Sequence, residues 1–76
     1  MNPRATRHRD AAETHDQAAL RHEEAVAYWR EQNNVPRAEL EERAARLERE
    51  LAQLERDSAD VEEKDPIRDT LGEPLT

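Results

Sequence analysis

Small and apolar residues recur every seven positions in both halves of the chain. In residues 8–29 the repeat is a His followed, three and four residues later, by Ala and then Ala or Val. In residues 40–61 it begins with Leu or Val and then Glu, and in its first three copies an Ala lies five residues after the Leu. A repeat of seven with three- and four-residue spacing places its members on one face of an α-helix, so both segments are predicted to be packed helices.

A cluster of helix-breaking residues separates the two repeats. Asn33 and Asn34 tolerate the left-handed backbone that ends a helix, and Pro36 favours the first turn of the next one. Farther on, Pro66 disfavours helical geometry at the residue before it, so the second helix should end near Lys64. The predicted elements are a helix over about 5–33, a turn at 33–36 and a helix over about 37–64.

Folding the chain between Asn34 and Val35 brings the two repeats together. In that register Trp29 meets Leu40 and His22 meets Leu47, so the histidine column should face the leucine column. We therefore predict an all-α chain that forms an antiparallel two-helix coiled-coil hairpin. The residues predicted to form its seam or an oligomer interface are His8, Ala12, His15, Ala19, His22, Val26, Trp29, Leu40, Ala44, Leu47, Leu51, Leu54 and Val61.

The composition predicts that this hairpin associates. Of 76 residues, 34% are hydrophobic and 41% charged, there is no Phe, and twelve of the apolar residues are Ala. A chain this small has a marginal core, and without cysteine it has no disulfide to reinforce it. Oligomerisation is the remaining common way to bury apolar surface. We expect a homo-oligomer, in the first place a dimer that forms a four-helix bundle.

The charge distribution separates the first residues from the rest. Residues 1–9 carry Arg4, Arg7 and Arg9 and no acid, whereas the whole chain has a net charge of -7. The sequence thus predicts a basic N-terminal arm at 1–9 before the hairpin at 10–64. The overall acidity argues against general nucleic-acid binding, because phosphate contacts need a basic surface. Two alternatives stay open: an arm that contacts nucleic acid or an anionic surface, and an acidic face that occupies a nucleic-acid-binding protein.

The three histidines raise the question of a metal site. Residues seven apart on a helix lie about 10.5 Å apart along its axis, whereas each ligand of one zinc lies about 2 Å from the ion. No two of His8, His15 and His22 can therefore bind the same ion within one helix. A metal-binding bundle, with further ligands from a second chain or from Glu48 or Glu55, remains an alternative; no cofactor is predicted. Histidine also changes charge near neutral pH, and the sequence leaves the sign of any pH response open.

The turn and the C-terminal tail hold the remaining candidate contacts. Tyr28 and Trp29 are the two aromatic residues and lie next to the turn. The tail at 65–76 has a cap-like Asp-Pro and a later Gly, which predict a short helix at 66–71 with an apolar stripe. The candidate partner contacts are Tyr28, Trp29, Ile67, Leu71 and Leu75.

The sequence contains no pattern typical of an enzyme. It shows no nucleophile with a matching base and no Gly-rich phosphate loop, and Gly72 is its one glycine. A two-helix rod also offers no enclosing pocket. No run approaches the roughly 18 apolar residues of a membrane span, and the N-terminus does not follow the signal-peptide pattern. We expect a cytoplasmic, non-enzymatic module for protein interaction or assembly.

Overall fold

The computed structural model describes residues 2–64, which form two long helices packed side by side. Helix α1 is Pro3–Glu31 and helix α2 is Val35–Lys64. Pairs such as His8 with Glu55 and His22 with Glu41 show that the helices run antiparallel. Residues 2–64 contain no strand, and the prediction of an all-α chain with two helices packed against each other is confirmed. The predicted helix at 66–71 lies outside the described residues, as do Ile67, Leu71 and Leu75.

Asn2 sets the start of α1. Its side-chain oxygen accepts hydrogen bonds from the backbone N–H groups of Arg4 and Ala5, at 3.0 and 3.2 Å. Pro3 takes the first helical position, where its missing N–H costs nothing. The Asn2 amide also donates to the carbonyl oxygen of Glu62 at 2.9 Å, which ties this end of α1 to α2. The residues predicted as a basic arm are therefore helical from residue 3 onward.

The turn uses two asparagines in different ways. Asn33 adopts a positive φ of 58°, the left-handed conformation that ends a helix. The side-chain oxygen of Asn34 accepts a hydrogen bond from the backbone N–H of Arg37 at 3.2 Å and so caps α2. Because Asn34 is the cap, α2 begins at Val35, two residues before the predicted start, and Pro36 lies in its first turn.

The core between the helices is made of alanine alone. Among residues 2–64, every buried side chain is an alanine methyl, and none is exposed by more than 6%. Small side chains let helix axes approach toward the lower end of the 8–10 Å packing range. The two helices therefore pack closely along two alanine columns with heptad spacing. The columns are Ala5, Ala12 and Ala19 in α1, and Ala38, Ala45, Ala52 and Ala59 in α2.

The prediction that the histidine column faces the leucine column is wrong within the hairpin. The His22 imidazole pairs with Glu41, and Leu47 is 59% exposed. The reason is that alanine occupies the inner position of α2. Leu40, Leu47 and Leu54 each follow an inner alanine by two residues, and two residues rotate a helix by about 200°. The leucines consequently point away from α1.

Candidate protein-interaction surface

The outer side of α2 carries a continuous apolar stripe, which we call the leucine face. Its members follow each other at steps of four and three residues, the spacing of a coiled-coil seam. Four of them are about equally exposed: Leu40 at 60%, Leu47 and Leu54 at 59%, and Val61 at 60%. Leu51 is 43% exposed. The leucine face consists of Leu40, Ala44, Leu47, Leu51, Leu54, Ser58 and Val61.

This surface has the dimensions of a helix-binding seam. The 21 residue steps from Leu40 to Val61 span about 32 Å at 1.5 Å per residue. Monomeric proteins rarely expose a contiguous apolar stripe of that length. The hairpin thus keeps its small alanine side chains inside and most of its large aliphatic ones outside, which marks the leucine face as the candidate site.

Charged columns border the leucine face on both sides. The column between the leucine face and α1 is uniformly acidic and half-buried. The column on the other side is mixed in sign and exposed. Any helix that binds the leucine face meets these two columns at its edges. The acidic column is Glu41, Glu48, Glu55 and Glu62, and the mixed column is Arg43, Glu50, Asp57 and Lys64.

The acidic column is also where α1 and α2 are joined by their histidines. The Nδ1 atoms of His8, His15 and His22 lie 2.6, 2.7 and 2.6 Å from a glutamate oxygen on α2. An ionised carboxylate only accepts, so the imidazole N–H donates in each pair. These three pairs form a histidine–glutamate ladder along one flank of the alanine core. Its rungs are His8–Glu55, His15–Glu48 and His22–Glu41.

The opposite flank carries a second set of pairs, the charge ladder. Arg49 contacts Glu23 at 3.1 Å and Asp16 at 3.3 Å. Asp16 also pairs with Arg56, whose hydrogen bond lowers the pKa of the Asp16 carboxyl below its usual 3.8 in spite of desolvation, with Arg49 adding to the effect. All these pairs lie at heptad steps. The four rungs are Arg9–Glu63, Asp16–Arg56, Glu23–Arg49 and Arg30–Glu42.

Two of the three N-terminal arginines take part in contacts with α2. Arg4 lies 3.9 Å from Glu62, and Arg9 pairs with Glu63. An arginine that is paired with a carboxylate offers less charge to a phosphate. The structure thus gives the first residues of α1 a role in closing the open end of the hairpin.

The aromatic residues form a small cluster at the turn. The Tyr28 and Trp29 rings meet edge to face, with centroids 4.9 Å apart and an interplanar angle of 76°. The guanidinium of Arg37 lies over the Trp29 ring at 4.6 Å from its centroid, a cation–π contact. Trp29 is half-buried by these contacts, while Tyr28 is 53% exposed. Trp29 therefore closes the turn end of the hairpin, and Tyr28 presents its ring to solvent.

In residues 2–64 no three His, Cys, Asp or Glu side chains lie close enough to hold one ion. Each histidine has its Nδ1 engaged by a glutamate, and the heptad spacing keeps the three apart. Neither α1 nor α2 has a stretch long and apolar enough to cross a bilayer.

The residues predicted as one seam fall in four different places, one of which is the turn, where Trp29 lies. Ala12 and Ala19 lie in the alanine core, the histidines lie on the ladder, and the leucines lie on the outer face. Sequence reasoning missed the α2 alanines as the inner column. The signal was present, because an Ala recurs every seven residues from Ala38.

Comparison with known proteins adds no relative. No family model, no curated protein and no solved structure matches this chain.

Proposed function

We propose that this protein is a non-enzymatic assembly module in which the leucine face of α2 binds a second copy of the chain. The observation that carries the proposal is the contrast between an alanine-only core and an outer stripe with side chains such as Leu47 exposed by 59%. Two copies would bring four helices together, with the two α2 helices in contact and an α1 helix on each outer side.

Burial of the leucine face gives a free-energy gain of the same order as the cost of association. A fully buried aliphatic side chain contributes about 2 kcal/mol, and each copy offers five that are 43–60% exposed. Ten side chains that each recover a little over half of that value would contribute roughly 11 kcal/mol. Association costs on the order of 4–15 kcal/mol in lost freedom of motion. The gain is therefore comparable to the cost of association.

The spacing of the leucine face supports a second copy as the occupant. Steps of four and three residues let two identical seams pack knobs into holes, with Leu and Val at one position and Ala, Leu and Ser at the other. A second copy is also always present at the same concentration as the first, and most soluble oligomers are symmetric homo-oligomers.

The test compares two variants that add the same charge. Leu47→Glu with Leu54→Glu places two acids on the leucine face. The matched control, Gln17→Glu with Ala27→Glu, adds two acids at exposed positions of α1, outside the leucine face. Molar mass by light scattering is measured on the full chain at roughly 10 and 200 µM, since mass action makes a dimer depend on concentration.

We expect the native chain and the control to give twice the monomer mass and the leucine-face variant to give the monomer mass. Circular dichroism checks that the variant remains helical. A native chain that stays monomeric at the higher concentration would overturn the proposal. So would a leucine-face variant that still forms the dimer.

A further inference from the structure

We infer that the two copies pair in parallel along α2, so that each residue of the leucine face lies beside its own equivalent. This inference rests on the proposed function, because it specifies how the second copy is oriented on the same surface. It follows from the two columns that border the leucine face and from the end of the seam at Leu40.

An antiparallel pair would place like charges together on both borders. In that arrangement each border column faces the same column of the second copy. The acidic column would then meet itself, and in the mixed column the two positive residues would meet each other, as would the two negative ones. Every contact across the borders would repel. The opposed residues would be Glu41 with Glu62, Glu48 with Glu55, Arg43 with Lys64, and Glu50 with Asp57.

A parallel pair removes half of these repulsions. Each residue of the mixed column then faces the acidic residue five positions later in the second copy. Arg43 meets Glu48 of the second copy, which is an attraction that occurs twice in the symmetric pair. Glu50 meets Glu55 and Asp57 meets Glu62, which leaves four repulsive contacts. The antiparallel pair has eight repulsive contacts and no attractive one.

The ends of the seam also favour the parallel arrangement. In the antiparallel arrangement Val61 lies opposite Ala44, whereas Leu40 lies opposite no residue of the second copy's leucine face. In the parallel arrangement Leu40 lies beside a second Leu40. Ser58 then meets its own equivalent, and its hydroxyl is already satisfied because it donates to the carbonyl oxygen of Leu54 at 2.9 Å. In the parallel pair each of the seven residues of the leucine face therefore lies beside its equivalent, and no polar group among them lacks a hydrogen-bond partner.

Engineered cysteines can distinguish the two orientations, since the native chain has none. The first sample is Val61→Cys alone, oxidised under mild conditions. The second is an equal mixture of Val61→Cys and Ala44→Cys chains, one of them carrying a mass tag. In an antiparallel pair the two residues at position 61 are separated by about 17 residue steps, or about 25 Å. A disulfide requires Cα atoms within about 7 Å.

We expect Val61→Cys to form a covalent dimer rapidly, and Leu40→Cys to do the same at the other end of the seam. In the mixed sample we expect few disulfides between positions 61 and 44. A Gln17→Cys chain, with its thiol exposed outside the leucine face, gives the background rate. A mixed sample dominated by the 61–44 disulfide would overturn the parallel orientation.

The outcomes separate this inference from the proposed function. If light scattering shows a dimer and the 61–44 disulfide forms, only the orientation is wrong. If light scattering shows a monomer and every cysteine chain crosslinks at the background rate of Gln17→Cys, the leucine face does not bind a second copy and both proposals fail. Covalent dimers of Val61→Cys well above background, together with a native dimer mass, support both.

Discussion

The Nδ1 atom of His15 on α1 lies 2.7 Å from the Oε1 atom of Glu48 on α2, with both side chains half-buried. This hydrogen bond joins the two helices at the middle of the hairpin. It is the central rung of a ladder whose other rungs repeat one heptad away in each direction. The pair therefore contributes to the free energy of unfolding as a contact between the helices and not within one helix.

A double-mutant cycle should measure that contribution. We expect His15→Ala and Glu48→Ala to be coupled by about 0.5–1.5 kcal/mol in the free energy of unfolding at pH 7, the usual net value of one hydrogen bond. Urea unfolding followed by circular dichroism provides the free energies. The control cycle pairs His15→Ala with Glu50→Ala, an exposed glutamate on the same helix. Equal coupling in the two cycles would mean that the His15–Glu48 contact contributes nothing specific.

The alanine core should not tolerate a larger side chain. Ala52 is completely buried between the helices, and Ala27 is exposed on α1. We expect Ala52→Leu to lower the free energy of unfolding by about 1–3 kcal/mol, because a leucine there pushes the helices apart. Ala27→Leu should change it by less than about 0.5 kcal/mol. Thermal unfolding of both variants tests this, and an Ala52→Leu chain as stable as the native one would contradict the close packing.

The left-handed backbone at Asn33 predicts opposite effects for two small substitutions. At a φ of 58°, a side chain with a Cβ is strained, which costs about 1–2 kcal/mol for residues other than Gly and Asn. We expect Asn33→Ala to lower the free energy of unfolding by about 1 kcal/mol and Asn33→Gly to leave it unchanged or raise it. Melting temperatures of the two variants give the comparison. If alanine were tolerated as well as glycine, the turn would have a different backbone conformation in solution.

Asp16 predicts a specific loss of stability in acid. Its pKa is lowered by its hydrogen bond with Arg56 and by the charges of Arg56 and Arg49. A carboxyl whose pKa is lower in the folded state stabilises the fold above its unfolded pKa near 3.8, and this contribution is lost as the pH falls through the lower folded value. The native chain should therefore be more stable than Asp16→Asn at pH 7, and the difference should be smaller at about pH 2. Urea midpoints at both pH values test this, and a difference that is as large in acid would require another cause.

Salt should strengthen the proposed dimer. In the parallel pair, repulsive contacts at the borders of the leucine face outnumber attractive ones by four to two. Added salt screens surface charges over a Debye length of about 10 Å at 0.1 M. We expect the dimer dissociation constant to fall severalfold between about 0.05 and 0.5 M sodium chloride, measured by sedimentation equilibrium. A dimer that weakens with salt would indicate that attractive ion pairs, and not apolar contacts, hold it together.

Much of this architecture could be predicted from short-range signals. The two helices followed from the heptads, and the turn followed from Asn33, Asn34 and Pro36, because cap and turn preferences depend on only a few neighbouring residues. The pairing of the columns was harder to predict. Leucine is the better core residue by apolar area, yet the alanine column is inside, because two helices alone gain close backbone packing from small side chains. The leucines then form an outer surface. Their position was hard to predict from two helices alone, because it depends on what binds the hairpin from outside.

The charge ladder has a consequence for the length of the two helices. Along α1 its charges run positive, negative, negative, positive, and along α2 they run in the complementary order. A displacement by one heptad would keep every alanine opposite an alanine column, but it would bring Asp16 to Glu63 and Arg30 to Arg49. The alanine columns alone would permit several registers of α1 against α2, each displaced by one heptad. The four ion pairs favour one of these registers. The length of the loop and the lengths of both helices must therefore match that register.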